Sequence, residues 1–313
     1  MATLRTVYVD PDVSGGAGNG TSWAKAYSSL NAAEQAQDDT GDIVTSNEYV
    51  EFHCGHNGAS QTTADTTAVN IDGWTTGASN YIALLTETAD RHNGTYQTTK
   101  YRLTLSTTNP ILIITEPYVR VDGLQFKNTA NGGATAGNCI QLGSVSTSDL
   151  RVSNSLLLTH NATAYYDGQN ATKTSIWNCV FYDDATGVYG IRFYNAAGSA
   201  NNVYSCTISG YDTGAIYKYG TTTVKNCLFY DNAVDVANGP ATDTYCATSN
   251  DNTKGLSAAG TGNRFSQTFT FVAAPTNFAL AAADAGAREY GTDTSGSSAP
   301  LNFTTDIVGT TRS

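Results

Sequence analysis

The 313-residue chain carries 40% hydrophobic and only 14% charged side chains, with a formal net charge of −11. It can bury a core, so it is not a disordered chain. Its polar surface comes from Thr, Ser, Asn, Gly and Tyr, which suits β structure with many turns and not a helix bundle, and its singly scattered Lys and Arg on an acidic background repel a phosphate backbone and exclude nucleic acid as a partner.

The opening Met1 to Asp10 has no apolar run of the signal-peptide kind, so no Sec signal is read here. No stretch of 18 apolar residues follows, and no membrane insertion is expected. The preferred origin is a protein made in a cytoplasm that reaches the outside by another route, as virion proteins do at lysis. The other origin is loss of a leader ahead of Met1. Residues 21–30 lead into Asn31-Ala32-Ala33-Glu34-Gln35-Ala36-Gln37. This Ala-rich run predicts a short capping helix with Asn31 as its N-cap. The chain then divides into an opening strand and capping helix (1–45), repeating coils (46–250), and a last coil, irregular cap and tail (251–313).

The repeats carry the fold class. Ile176-Trp177-Asn178-Cys179-Val180-Phe181, Val203-Tyr204-Ser205-Cys206-Thr207-Ile208 and Val224-Lys225-Asn226-Cys227-Leu228-Phe229 share one template, with weaker relatives at Val119–Phe126 and Leu150–Leu158 and a last member at Tyr245-Cys246. Cys179 to Cys206 is 27 residues, Cys206 to Cys227 is 21 and Cys227 to Cys246 is 19. Variable periods in the twenties fit coils whose loops change while their strands stay in register. Side chains alternate along a strand, yet Val224 and Cys227 lie three apart and both suit a core. The chain must therefore bend between them, and Asn tolerates the left-handed conformation that a tight bend needs. The expected fold is all-β, a right-handed single-stranded parallel β-helix. Its Cys column reads as a stack of small buried hydrophobes and not as disulfides or metal ligands, because in-register Cβ vectors are parallel.

The two ends resemble a known family. Val7-Tyr8-Val9-Asp10 with Gly15-Gly16 and Gly18-Asn19-Gly20-Thr21-Ser22-Trp23, then Gly41-Asp42-Ile43-Val44, looks like the start of pectate-lyase-like right-handed parallel β-helix proteins. Phe269-Thr270-Phe271-Val272, Asn277-Phe278-Ala279-Leu280, Asp284-Ala285-Gly286 and Asp306 to Arg312 resemble their C-terminal coil. The chain departs at Ala281-Ala282, where a Ser-Pro is usual, and at Ser46-Asn47, where a Pro-Gly turn is usual. The resemblance implies the fold. It leaves polysaccharide lyases, glycoside hydrolases, phage tailspikes and surface proteins without activity as members, so chemistry must be read from the residues.

Asp183-Asp184, with Arg192 downstream and Asp231 at the template position equivalent to Asp183, is the best acid–base constellation for glycoside hydrolysis. Asp is equally a common turn residue after a strand, and the Gly-His-Gly and Asn-Thr-Asp motifs of polygalacturonase-like members are missing. The turn reading is favoured. A lyase would need a Lys or Arg base, for which Arg192 and Lys218 are the nearest fits, beside Ca²⁺-binding carboxylates. Only in that case is a cofactor implied. His53-Cys54-Gly55-His56 reads as a turn with exposed His rather than as a metal site. Tyr182, Tyr204 and Tyr230 recur on the coils as candidates for glycan or interface contact. The expected function is a non-catalytic structural or adhesive β-helix of a virion or extracellular surface, of the phage decoration, fibre or tailspike kind. Its expected partners are other virion or surface proteins, polysaccharide, or further copies of itself, as in a trimer. The alternative is a secreted polysaccharide lyase or hydrolase, with residues 46–110 looping over a groove. A carbohydrate-binding module without turnover, using a Tyr-rich face, is a third reading.

Overall fold

The computed structural model describes residues 1–14, 18–38, 41–145, 148–169, 172–194, 199–238 and 242–311. Gly15, Gly16 and Arg312, which carry part of the family likeness, lie outside them.

Alternation of branched and polar residues produces short strands that stack in parallel, coil upon coil. The first face is a sheet of nine strands among the described residues, from Thr3–Val9 through Glu48–Cys54, Ile82–Leu85, Val119–Asp122, Ser148–Ser153, Thr172–Trp177, Ala200–Tyr204 and Thr221–Lys225 to Thr242–Thr244. Every neighbouring pair is parallel. The opening strand is itself the first rung, so the stack begins at Thr3 rather than at residue 46. The second face runs from Leu103–Leu105 and Gln125–Gly133 through Leu156–Ala162 to Leu228–Tyr230 and Ala247–Thr248. The third runs from Val69–Ile71 through Leu112–Ile114, Ile140–Leu142 and Tyr165–Asp167 to Val236–Ala237. Two long strands, Val180–Phe193 and Thr207–Lys218, bend across both the second and third faces. Parallel strands of one sheet are joined by right-handed crossovers, so the architecture is a right-handed parallel β-helix. Among the described residues no helix is long and apolar enough to cross a membrane.

The bend between the first and second faces falls where the template places it. Asn154, Asn178, Ser205, Asn226 and Tyr245 have φ of 49°, 54°, 54°, 55° and 54°. In each, the backbone N–H donates to a carbonyl of the next coil: Asn154 to Trp177, Asn178 to Tyr204, Ser205 to Lys225, Asn226 to Thr244 and Tyr245 to Thr261. The following residue then points inward. Ser155, Cys179, Cys206, Cys227 and Cys246 fill one buried column, and all six cysteines of the chain are buried free thiols. Burial pushes the Cys206 and Cys246 thiols well above their ordinary range. Phe126, Phe181, Ile208 and Phe229 continue the core inside the second face.

The capping helix spans Leu30–Gln37, and its N-cap is Ser29, whose hydroxyl accepts from the Ala32 N–H at 3.1 Å. Asn31, the predicted cap, is already helical. Ser and Asn cap comparably well, so the sequence alone did not separate them. Asp65 anchors the helix to the coils by accepting from the Leu30 N–H at 2.7 Å and the Tyr101 hydroxyl at 2.9 Å. Beneath the helix, buried Glu34 accepts from Trp74 Nε1 at 3.0 Å, and burial raises its pKa to about 7.

Phe265 packs against the core, and the Ser266 and Gln267 N–H groups donate to the Asn250 and Thr248 carbonyls of the last coil; the residues that follow leave the stack. They fold back along the outside, towards the start of the chain. A hairpin of Phe271–Ala273 and Asn277–Leu280 lies against the second face. Asn226 then exchanges two hydrogen bonds with the Thr292 backbone (2.7 and 2.9 Å), and Asn178 donates to the Thr305 carbonyl at 2.9 Å. Phe303 stacks on Trp177 with centroids 6.3 Å apart. At its end, Ile307 and Val308 meet the turn at Gly94. The left-handed asparagines thus turn the coils and also hold the returning segment.

Candidate functional site

The residues singled out by sequence are divided among all three faces. Lys127, Leu158, Tyr182, Ser209 and Tyr230 are in-register partners on successive rungs of the second face. Around them lies a groove of about 330 Å³ with an aliphatic floor of Leu156, Leu158 and Val180. Tyr96 and Lys127 stand on one wall, Tyr182 and Asp184 across it, and Pro275 and Phe278 of the returning hairpin close the side. Lys127 Nζ lies 5.2 Å from the centre of the Tyr96 ring.

Asp183 is 2% exposed and belongs to the fold. Its carboxylate accepts from the backbone N–H groups of Asn161 (3.1 Å), Ala162 (3.3 Å) and Ala185 (2.9 Å), which holds two adjoining coils at a turn. This is the turn role favoured for Asp183 in the sequence. The paired-acid alternative also meets Gly210 on the intervening coil, whose N–H donates to the Asp231 carbonyl and where a Cβ would meet the Asp183 carbonyl. Asp183 and Asp231 are therefore two rungs apart, about 10 Å at the usual strand spacing. Asp184 does face the groove and pairs with His160 Nδ1 at 2.7 Å, with both side chains nearly half exposed. Arg192 is not beside any of these carboxylates, because its stretch of Val180–Phe193 has already turned onto the third face.

The three candidate tyrosines are all partly exposed, and Tyr182 lines the groove. Tyr182 packs on Phe278 (5.4 Å between centroids), and Tyr230 packs on Phe271 (5.1 Å) and Phe269 (6.3 Å). The returning segment thus touches both rings and leaves them partly exposed. Tyr204 stands between Trp177 and Lys225 on the first face, and burial raises its pKa. His53 pairs with Glu87 (2.7 Å) and Glu51 (3.0 Å), His56 pairs with Asp10 (2.7 Å), and Cys54 points into the core. These three side chains therefore do not converge. Among the described residues, the compact group of possible metal ligands is Glu34, Asp38 and Asp72, at the capping helix and not in the groove.

The third face holds a constellation that sequence reasoning saw only in part. Tyr166, Arg192 and Tyr217 are direct partners on three successive coils. Two positions along, hence on the same outward side, come Tyr194 and Tyr219. The Arg192 guanidinium carbon lies 5.3, 5.4, 4.5 and 5.5 Å from the ring centres of Tyr166, Tyr189, Tyr194 and Tyr217. Tyr217 meets Tyr189, Tyr194 and Tyr219 at 5.0, 6.1 and 5.6 Å. A hydrogen bond that the Tyr217 hydroxyl donates to Tyr219 helps push the Tyr217 phenol up to about 12. Lys218, the other proposed base, points the opposite way from its two tyrosine neighbours and is 9% exposed. The legible signal was the alternation Arg192-Phe193-Tyr194 over Tyr217-Lys218-Tyr219, read in coil register.

The fold and these surfaces define a parallel β-helix that carries a lateral groove and an aromatic platform. Among solved structures, a Geobacillus virus E2 protein, ORF18, is similar at 13% identity and a TM-score of 0.38, over 78% of this chain and 54% of that one. The chain thus spans about half the length of that phage protein. Pectate lyase Pel9A is similar at 12% identity and a TM-score of 0.42, over 100% of this chain and 97% of that one. No protein-family model matches the chain, and no curated protein does. Likenesses this distant say nothing of chemistry, and the fold stands on its own strand register.

Proposed function

We propose that the chain is a non-catalytic structural or adhesive β-helix protein of a virion or extracellular surface, of the decoration, fibre or tailspike kind, that contacts saccharides through its lateral faces. The observation that carries this reading is the position of Asp183. The strongest acid–base candidate is spent on three backbone N–H groups at a turn. Asp184 is the one acidic side chain among the described residues of the groove, whereas general acid–base hydrolysis uses two carboxylates and a Ca²⁺ site several oxygens. Stacked coils fixed by side-chain ladders also give a rigid lateral surface, which suits display and adhesion.

The presence of Lys127 and Asp184 in one groove favours polysaccharide cleavage as the second reading. Incubating the purified protein with acidic and neutral polysaccharides, and following chain length and new reducing or unsaturated ends, separates the two. The expected result is binding without cleavage, together with stoichiometric recovery of the polypeptide from purified particles by mass spectrometry. Cleavage that is lost in Lys127→Gln or Asp184→Asn would overturn the proposal.

A further inference from the structure

Arg192 is the charge at the centre of the third-face platform, and its surroundings do not neutralise it. Arg5, Arg91, Arg151 and Arg288 each face a carboxylate. Arg192 faces none among the described residues. Its Nη1 donates to the Ala134 carbonyl at 3.0 Å, and its Nε is buried without an acceptor. A guanidinium offers five donors in a planar fork that matches an oxyanion. The four rings around it exclude water, which strengthens its pull on an anion. Arg102, Arg120 and Arg264 likewise face no carboxylate among the described residues; what sets Arg192 apart is the group of four tyrosine rings around it.

The rest of the platform adds a second chemistry. Tyr194 and Tyr219, 45% and 39% exposed, form the rim, and a phenol ring presents an apolar face with a polar tip. A sugar ring has the same mixture, with C–H faces to lie on the ring and hydroxyls to reach the tip. Three rungs span about 10 Å, an oligosaccharide-sized footprint on strands that cannot easily shift. A second copy of the chain fits less well. A two-fold contact centred on the platform would set Arg192 against its own counterpart, and none of the six platform side chains is a carboxylate.

We propose that Arg192 with Tyr194, Tyr217 and Tyr219 is a binding site for an anionic saccharide. Arg192 takes a carboxylate or sulfate, and the rim tyrosines stack on the sugar. The inference rests on the adhesive reading above, and it assigns the contact to a face other than the groove.

The test is calorimetric titration of the full chain with a hyaluronan hexasaccharide, the same hexasaccharide with its carboxyls methyl-esterified, and a chondroitin sulfate hexasaccharide. The acidic forms are expected to bind about tenfold or more tightly than the ester, in keeping with a charged hydrogen bond. Arg192→Gln should lose about the same factor. Tyr219→Ala, at an exposed position that leaves the core untouched, should lose several-fold with an unchanged melting curve. Lys127→Gln, in the groove, should bind like the parent. Equal binding of acid and ester, parent-like binding by Arg192→Gln, or no binding of any of the three would overturn the assignment. Concentration-dependent self-association that Tyr219→Ala abolishes would show that the platform is a contact between copies. Loss of binding in Lys127→Gln alone would move the contact to the groove and leave the adhesive reading standing, whereas cleavage of a hexasaccharide would overturn that reading itself.

Discussion

Replacing Asn226 separates two contributions that one residue makes to the β-helix. Its φ of 55° lies in the left-handed region, which costs a residue other than Gly or Asn about 1 kcal/mol or more. Its amide also exchanges two hydrogen bonds with Thr292, together about 2 kcal/mol at a net ~1 kcal/mol each. Asn226→Ala loses both and should destabilise the chain by about 3 kcal/mol. Asn226→Gly keeps the backbone conformation at little strain and should lose only the amide share, about 2 kcal/mol. Denaturant unfolding measures the totals, and limited proteolysis of residues 288–311 reports whether the returning segment is still held. Glycine should unfold later than alanine, with the segment cut equally fast in both. Equal stabilities would refute the backbone argument, and a segment that stays protected in both would refute the amide as its anchor.

Further predictions follow from the other buried polar groups. Asp183→Ala strips three backbone N–H groups of their acceptor and should cost about 2–4 kcal/mol; thermal melting should show the loss, while saccharide binding at the third face persists in the folded fraction. Glu34, raised to about 7 by burial, holds its proton more tightly folded than unfolded. Its neutral form is the compatible one, so its contribution is intact below about pH 4.5 and is lost as pH rises through about 7, by an order-of-magnitude 3 kcal/mol. Glu34→Gln should flatten that part of the stability profile, and a variant whose melting temperature falls as steeply as the parent's between those pH values would refute the account. The six thiols should stay unreactive to an aromatic disulfide reagent in the native protein and all react once it is denatured, because each is buried out of the reagent's reach; a fast-reacting native thiol would contradict the closed column.

Much of the fold was legible because a solenoid repeats its local physics. The three-residue step from Val224 to Cys227 forced a bend, and Asn226 and its counterparts take the left-handed conformation that the bend requires. The site was less legible. Parity along a strand says whether a side chain points in or out, but coil lengths of 27, 21 and 19 residues hide which outward residues become neighbours. Nothing in the coil template shows that the returning hairpin packs on Tyr182 and Tyr230. That segment has no period of its own, since it is held by amides and aromatic rings of the coils rather than by a rung. Asp183 and Asp231 matched in template position, yet one became a buried turn acceptor because the preceding coil turns at Asn161, with φ of 49°, and presents the Asn161 and Ala162 N–H groups to it.

The returning segment changes how the stack would respond to load. A stack of coils that touch only their neighbours can peel from one end, each coil opening nearly independently. Here the contact between Asn178 and Thr305 joins residues 127 apart, and Arg264 at the last coil is held by the carbonyls of Ala285 and Gly286 within the same segment. Peeling the final coil therefore means first unfastening a clasp that reaches back to the middle of the stack. Under shear, such a filament resists until the clasp gives, and its far end then loses strength in one step.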